Sequence, residues 1–125
     1  MAGKGRAALG EASRALELWR AAWRAHPAQA DVVRELGLAL LEIDRHEEAR
    51  EVNRDATERM PEDATLWCNR AVTEVLCGDL DAARACAAKS RALDPSDPVA
   101  RALEQRLAQL TPGRLPRKLR ELERR

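Results

Sequence analysis

The stretch from Ala64 to Pro95, ATLWCNRAVTEVLCGDLDAARACAAKSRALDP, decides the fold of this chain. Its apolar residues recur at steps of three and four, which predicts two short amphipathic helices. A turn at Cys77-Gly78-Asp79 separates the two helices, and Pro95 ends the unit because proline cannot extend a helix. We therefore expect the stretch to form one antiparallel helix pair.

The same unit recurs along the chain with a period of 34 residues. Four columns keep this period, and each column holds one kind of residue: prolines, alanines, small residues or turn residues. The columns are Pro27, Pro61 and Pro95; Ala15, Ala49 and Ala83; Ala22, Ala56 and Ser90; and Gly10, Asp44 and Gly78. A helix–turn–helix unit with a period of about 34 residues is typical of a solenoid of stacked helix pairs.

With this period the chain resembles the tetratricopeptide repeat family, whose repeats carry a Trp, Leu, Gly, Tyr, Ala, Phe, Ala, Pro pattern. The matching residues are Leu36, Gly37, Ala49, Ala56 and Pro61 in the repeat from Ala30, and Trp67, Ala83 and Pro95 in the repeat from Ala64. The departures are Asn53 in the first of these repeats and Arg70, Glu74 and Ala87 in the second. The resemblance covers residues 10 to 110.

The resemblance implies an all-α fold, a tetratricopeptide-like α-solenoid of antiparallel helix pairs. Two full repeats are expected, flanked by a half repeat and a capping helix with Asp97 as N-cap and Pro98 at its first position. The expected segments are a flexible N-terminus (1–5), a helical repeat domain (6–110) and a basic C-terminal tail whose sequence allows a short helix (111–125). Within the domain they are the half repeat 6–27, the repeats 30–61 and 64–95, and the capping helix 97–110.

Charge is unevenly distributed along the chain, although the net charge is only +1. Residues 1–27 carry a charge of +3, residues 28–111 a charge of −6 and residues 112–125 a charge of +4. An acidic body with two basic ends favours docking of the tail on the body as readily as binding of an external anionic partner.

The three cysteines, Cys68, Cys77 and Cys86, match no zinc or thioredoxin-like spacing. We expect buried or half-buried thiols, since free cysteine packs like a small apolar residue. No signal peptide or long apolar run is present in the sequence, so we expect a cytoplasmic location.

Motifs of catalysis are missing from the sequence. It contains no Ser-His-Asp or Cys-His arrangement, no phosphate loop and no metal motif. The two histidines, His26 and His46, are expected to be structural or solvated. We therefore expect no enzymatic activity, no cofactor and no bound metal.

The resemblance places the binding surface in a concave groove lined by the first helices of successive repeats. Several groove positions are apolar where a solvated surface would be polar, which favours a partner helix or an extended peptide as ligand. The predicted groove residues are Arg34, Leu38, Leu41, Thr65, Cys68, Asn69, Val72, Val75 and Arg106. The predicted function is therefore a protein-interaction module: an adaptor, a chaperone or an assembly subunit.

One binding mode of the family is not expected in this chain. Family members that grip the C-terminal carboxylate of chaperone tails use Lys and Asn at set groove positions. Here Asn69 is the only similar residue, because Leu38, Thr65, Cys68 and Ala102 occupy the other positions.

Two other interpretations stay open. The basic tail, with Arg114, Arg117, Lys118 and Arg120, can tether the protein to nucleic acid or to an anionic membrane, or it can fold into the groove. Both external partners are disfavoured, because Glu121 and Glu123 dilute the positive charge. Single-stranded nucleic acid is disfavoured further, because no aromatic residue lies nearby in the sequence to stack on its bases. Trp19 and Trp23 form a second candidate interface, which a homodimer or a partner helix would bury.

Overall fold

The computed structural model describes the backbone of residues 2–110 and the side chains of residues 10–110. Each helix packs on the next along the chain, and α2 also contacts α4, as in a solenoid. The predicted all-α solenoid of antiparallel helix pairs is confirmed. The helices are α1 (Ala2–Ala25), α2 (Ala30–Glu42), α3 (His46–Arg59), α4 (Ala64–Leu76), α5 (Leu80–Leu93) and α6 (Pro98–Gln109).

The helix limits follow the sequence except at the N-terminus. The half repeat was expected to begin at Arg6 after a flexible segment, but α1 begins at Ala2. Extending a helix that has already formed requires no new nucleation, so a short preceding segment can join it despite Gly3 and Gly5. Residues 111–125, which include the predicted basic tail, lie outside the described residues.

Aspartate side chains cap the N-termini of three helices. The Asp63 carboxylate accepts a hydrogen bond of 3.1 Å from the backbone N–H of Leu66, and Asp79 does the same for Ala82 at 3.0 Å. Asp97 caps α6 in the predicted way, with Pro98 as the first helical residue. Each cap satisfies a backbone donor that the helix leaves free, which is worth about 1 kcal/mol.

The turns between paired helices use a left-handed backbone. Asp44 has a φ of 60° and Gly78 a φ of 84°, so the turn column of the sequence repeat is also a conformational repeat. Gly10 belongs to the same column but lies inside α1. A Cβ atom added at Gly10 or at Gly78 would meet nothing within 4 Å, so the two glycines differ in backbone conformation and not in available space.

This difference predicts opposite effects of alanine at the two glycines. Gly78→Ala should lower the free energy of unfolding by about 1 kcal/mol, because an L-residue is strained in the left-handed region. Gly10→Ala should raise it by about 0.5–1 kcal/mol, because glycine weakens a helix interior. Urea denaturation of both variants tests this pair, and shifts of equal sign would contradict it.

Small aliphatic residues build the interior in two adjoining clusters. The first cluster contains residues of α1, α2, α3 and α4, and the second contains residues of α4, α5 and α6. Ala49, Ala56 and Ala83, from the columns of small residues, are fully buried and let the helices approach closely. The buried members are Leu16, Val33, Leu36, Leu40, Ala49, Val52, Ala56 and Leu66 in the first cluster, and Ala71, Ala83, Cys86, Ala87 and Leu107 in the second.

The three cysteines are free thiols, and their predicted burial is confirmed. Cys68 and Cys86 are buried, and Cys77 is half-buried at the C-cap of α4. Burial raises the pKa of all three thiols above the usual cysteine value, because the charged thiolate loses solvation.

Candidate functional site

A shallow pocket of about 110 Å³ lies between α2 and α4; we call it the groove pocket. Five of the nine predicted groove residues line it: Arg34, Leu38, Leu41, Asn69 and Val72. Its remaining lining residues are Gly37, Asn53 and Thr73.

A buried hydrogen-bonded core supports the groove pocket. Asn53 on α3 is buried, and its side-chain amide donates to the carbonyl oxygen of Ala49 at 2.9 Å and to Thr73 Oγ1 at 3.1 Å. The Thr73 hydroxyl in turn donates to the carbonyl oxygen of Asn69 at 2.9 Å. A Cβ atom on Gly37 would lie 3.4 Å from the Asn53 amide nitrogen, so glycine lets α2 approach this residue. The pocket is therefore preorganised.

The wall of the groove pocket is apolar and accessible. Leu38 on α2 is 57% exposed and Val72 on α4 is 39% exposed, although both are aliphatic. Leu41 is half-buried and packs against the first core cluster. Arg34, which pairs with Asp31 one turn earlier, and the half-buried Asn69 supply the polar groups of the lining.

The other four predicted groove residues lie outside the pocket lining. Thr65 and Arg106 are exposed, and Val75 packs against the second core cluster. Cys68 is only 7% exposed, in line with the burial expected for its thiol, so it offers little surface to a ligand in the groove. Burial chiefly, and then the negative charge of Asp97, raises the pKa of the Cys68 thiol.

A second concavity of about 310 Å³ lies between α1 and α2; we call it the α1/α2 slot. Trp19, from the predicted second interface, lines this slot. Trp23 does not: it is half-buried against the first core cluster, and its buried indole N–H has no hydrogen-bond partner among the described residues. The slot is lined by Ala12, Ser13, Ala15, Leu16 and Trp19 of α1 and by Glu35, Leu38, Ala39, Glu42 and Ile43 of α2.

A buried ion cluster at Glu74 was not predicted from the sequence. Glu74 is 0% exposed, and its carboxylate lies 2.9 Å from Arg54 Nε and 3.1 Å from Arg50 Nε. Arg70, one turn earlier, lies 3.9 Å from the same carboxylate and over the ring of Trp67. The available signal was that Arg70 and Glu74 both replace apolar or aromatic residues of the family pattern, one helical turn apart.

A second ion pair fixes α1 against the first full repeat. The Arg20 guanidinium donates two hydrogen bonds of 2.8 Å to the Glu48 carboxylate on α3. This contact holds the pKa of the Glu48 carboxyl below its usual value, and it raises the pKa of Arg20. The N-terminal half repeat is thus attached by polar contacts as well as by its core residues.

These features agree with a comparison against known families. A tetratricopeptide repeat family model matches residues 6–71, more than half of the chain. This chain belongs to the tetratricopeptide repeat family. Comparison with curated protein sequences gives no match. Among the described residues of this tetratricopeptide repeat protein, no helix is long and apolar enough to cross a membrane.

Solved structures of tetratricopeptide repeat (TPR) domains share the fold. The second TPR domain of human RPAP3, in complex with an HSP70 peptide, has a TM-score of 0.70 at 22% identity, covering 85% of this chain and 88% of that chain. The Arabidopsis OM64 TPR domain has a TM-score of 0.71 at 17% identity, covering 87% and 90%. PcrH, in complex with the chaperone binding region of PopD, has a TM-score of 0.64 at 21% identity, covering 93% and 87%.

Proposed function

We propose that this protein is a non-enzymatic interaction module that binds an amphipathic helix or an extended peptide of a partner protein in the groove pocket. The observation that carries the proposal is the exposed pair Leu38 and Val72, which stand on adjacent helices above a preorganised polar floor. Burial of apolar surface drives association, and an exposed apolar concave surface is typical of a partner site. An adaptor, chaperone or assembly subunit would use such a surface.

The size of the groove pocket favours a side chain over a whole small molecule. Pockets for small molecules usually enclose about 300–1,000 Å³, whereas the groove pocket has about 110 Å³. A volume of this size suits one apolar anchor of a longer segment, and the rest of that segment would lie along α2 and α4. This is the recognition mode of a helix or peptide in a groove.

Two structural neighbours support protein segments as ligands of this fold. The human RPAP3 domain is in complex with an HSP70 peptide, and PcrH is in complex with the chaperone binding region of PopD. For this chain we propose an apolar segment and not a terminal carboxylate, because Arg34 is the only basic residue in the lining and it already pairs with Asp31. The free thiols of the second repeat support a reducing, cytoplasmic compartment.

The groove proposal predicts that Val72→Glu removes partner binding. A carboxylate placed against an apolar ligand loses its hydration without gaining a partner, which should weaken binding by at least about tenfold. The measurement is affinity capture from lysate of the source cells with mass spectrometry, followed by titration of the captured protein against wild type and variant.

Leu93→Glu is the matched control for this experiment. Leu93 on α5 is 38% exposed, close to the 39% of Val72, but it does not line the groove pocket. The captured protein should be retained by Leu93→Glu, and circular dichroism should show equal helicity in both variants. Identical capture by wild type and both variants would refute the groove pocket as the binding site.

A further inference from the structure

Within the part of the chain that the structure describes, the α1/α2 slot is a helix position of the solenoid that no helix occupies. α2, the first helix of its repeat, packs on α3 and contacts α4. One repeat earlier, the equivalent first helix would pack on α1 and contact α2, which is where the slot lies. Ala49 and Ala83, which are related to Ala15 by the repeat, are fully buried, whereas Ala15 is exposed. A small residue at this position allows close helix contact, and no helix among the described residues covers it. The slot therefore has the shape and lining of a helix receptor.

The lining of the slot specifies the chemistry of its occupant. Ala12, Ala15, Leu16 and Leu38 give it an apolar floor. Its only charged lining residues, Glu35 and Glu42, are acidic and exposed. A complementary helix would carry a stripe of aliphatic side chains flanked by basic residues.

The C-terminal segment of this chain has that chemistry. Residues 112–125 read PGRLPRKLRELERR, with six basic and two acidic residues. Leu115, Leu119 and Leu122 are spaced by four and three residues, which places them on one face of a helix. We propose that the α1/α2 slot binds residues 112–125 of a second copy of this chain, so that the protein self-associates head to tail.

The length of chain between α6 and the segment decides whether the segment can bind the slot of its own chain or only that of a second copy. From Leu110 to Leu115 the chain spans at most about 17 Å, at about 3.5 Å per residue. The slot lies three helix positions from α6, through α4 and α2, which is about 24–30 Å at 8–10 Å per position. Leu115, the first leucine of the stripe, therefore falls short of the slot in its own chain, so that all three leucines together can be seated only on a second copy. Binding to a second copy joins two different surfaces, the slot of one copy and the segment of the other. Each open assembly therefore keeps a free slot at one end and a free segment at the other.

Sedimentation velocity of the full chain over a concentration series tests the proposal. The weight-average mass of the wild type should rise with concentration, past that of a dimer. Ala15→Arg should weaken self-association by at least about tenfold, because the long side chain blocks close helix approach. Leu119→Glu should weaken it by a similar factor. Ala21→Arg is the matched control, since Ala21 is exposed on α1 and lies outside the slot lining.

Mixing the two defective variants separates head-to-tail binding from the other arrangements. Ala15→Arg keeps the segment and Leu119→Glu keeps the slot, so an equimolar mixture should form dimers that do not grow further. A wild type that stays monomeric at every concentration would overturn the proposal. So would a dimer that Leu119→Glu leaves intact, as a symmetric contact through α1 would give. Association lost in Val72→Glu but kept in Ala15→Arg would also overturn it, because it would place the segment in the groove pocket.

Discussion

Replacing Glu74 by alanine is expected to lower the free energy of unfolding by about 3 kcal/mol, because removing one partner of a buried ion pair leaves the other charge uncompensated. Glu74 is completely buried, and its carboxylate faces the guanidinium groups of Arg50 and Arg54 on the preceding helix. The loss should fall at the lower end of the usual range, since the side chains of Arg50 and Arg54 are 21% and 41% exposed and can turn toward water. Urea denaturation followed by circular dichroism measures the change.

Two further variants distinguish charge from packing at this position. Glu74→Gln keeps the size of the side chain and removes its charge, so it should cost nearly as much as Glu74→Ala if the ion pairs dominate. Glu58→Ala removes an exposed carboxylate from α3 and should change stability by less than about 0.5 kcal/mol. A loss below about 1 kcal/mol for Glu74→Ala would show that the cluster adds little to stability.

Leu36→Ala is expected to cost about 3 kcal/mol in the free energy of unfolding. Leu36 is completely buried in the first core cluster, and its truncation leaves a cavity in that cluster. Thermal or urea denaturation should show a lower midpoint and retained cooperativity.

Leu38→Ala, two residues further along α2, is the control for Leu36→Ala. Because Leu38 is 57% exposed, its truncation should change stability by less than about 0.5 kcal/mol. The same substitution should weaken partner binding, since Leu38 lines the groove pocket. Equal destabilisation by the two variants would contradict the assignment of Leu36 to the core and Leu38 to the surface.

Local signals made much of the fold predictable from the sequence. α3 spans His46–Arg59, within the predicted repeat 30–61. Asp97 and Pro98 begin α6 as predicted, because capping depends on neighbouring residues only. The 34-residue repeat placed the turns at Asp44 and Gly78, and the structure adds that both have a left-handed backbone. The start of α1 was less predictable, because glycines near a helix end weaken a helix without fixing where it begins.

Contacts among three helices were not predictable from a periodic pattern. Asn53 counted only as a departure from the family pattern, yet it bonds α3 to α4 and lies against the glycine of α2. Glu74 and Arg70 likewise counted as departures, and their partners Arg50, Arg54 and Thr57 come from another helix. The groove position of Cys68 was predicted from the family register, but the register does not show how deeply this side chain is buried. The nine predicted groove residues therefore divide into five that line one pocket and four that do not.

The placement of the cysteines gives this protein a natural kinetic reporter. All three thiols belong to the second full repeat, on α4, at its C-cap and on α5. Only the thiolate reacts rapidly with alkylating reagents. Burial hides Cys68 and Cys86 from the reagent and also raises the pKa of both thiols, which keeps them protonated. In a solenoid each unit is stabilised by its immediate neighbours, so the two ends can open at different free energies. The rate of alkylation of Cys68 and Cys86 therefore measures how often the second repeat opens.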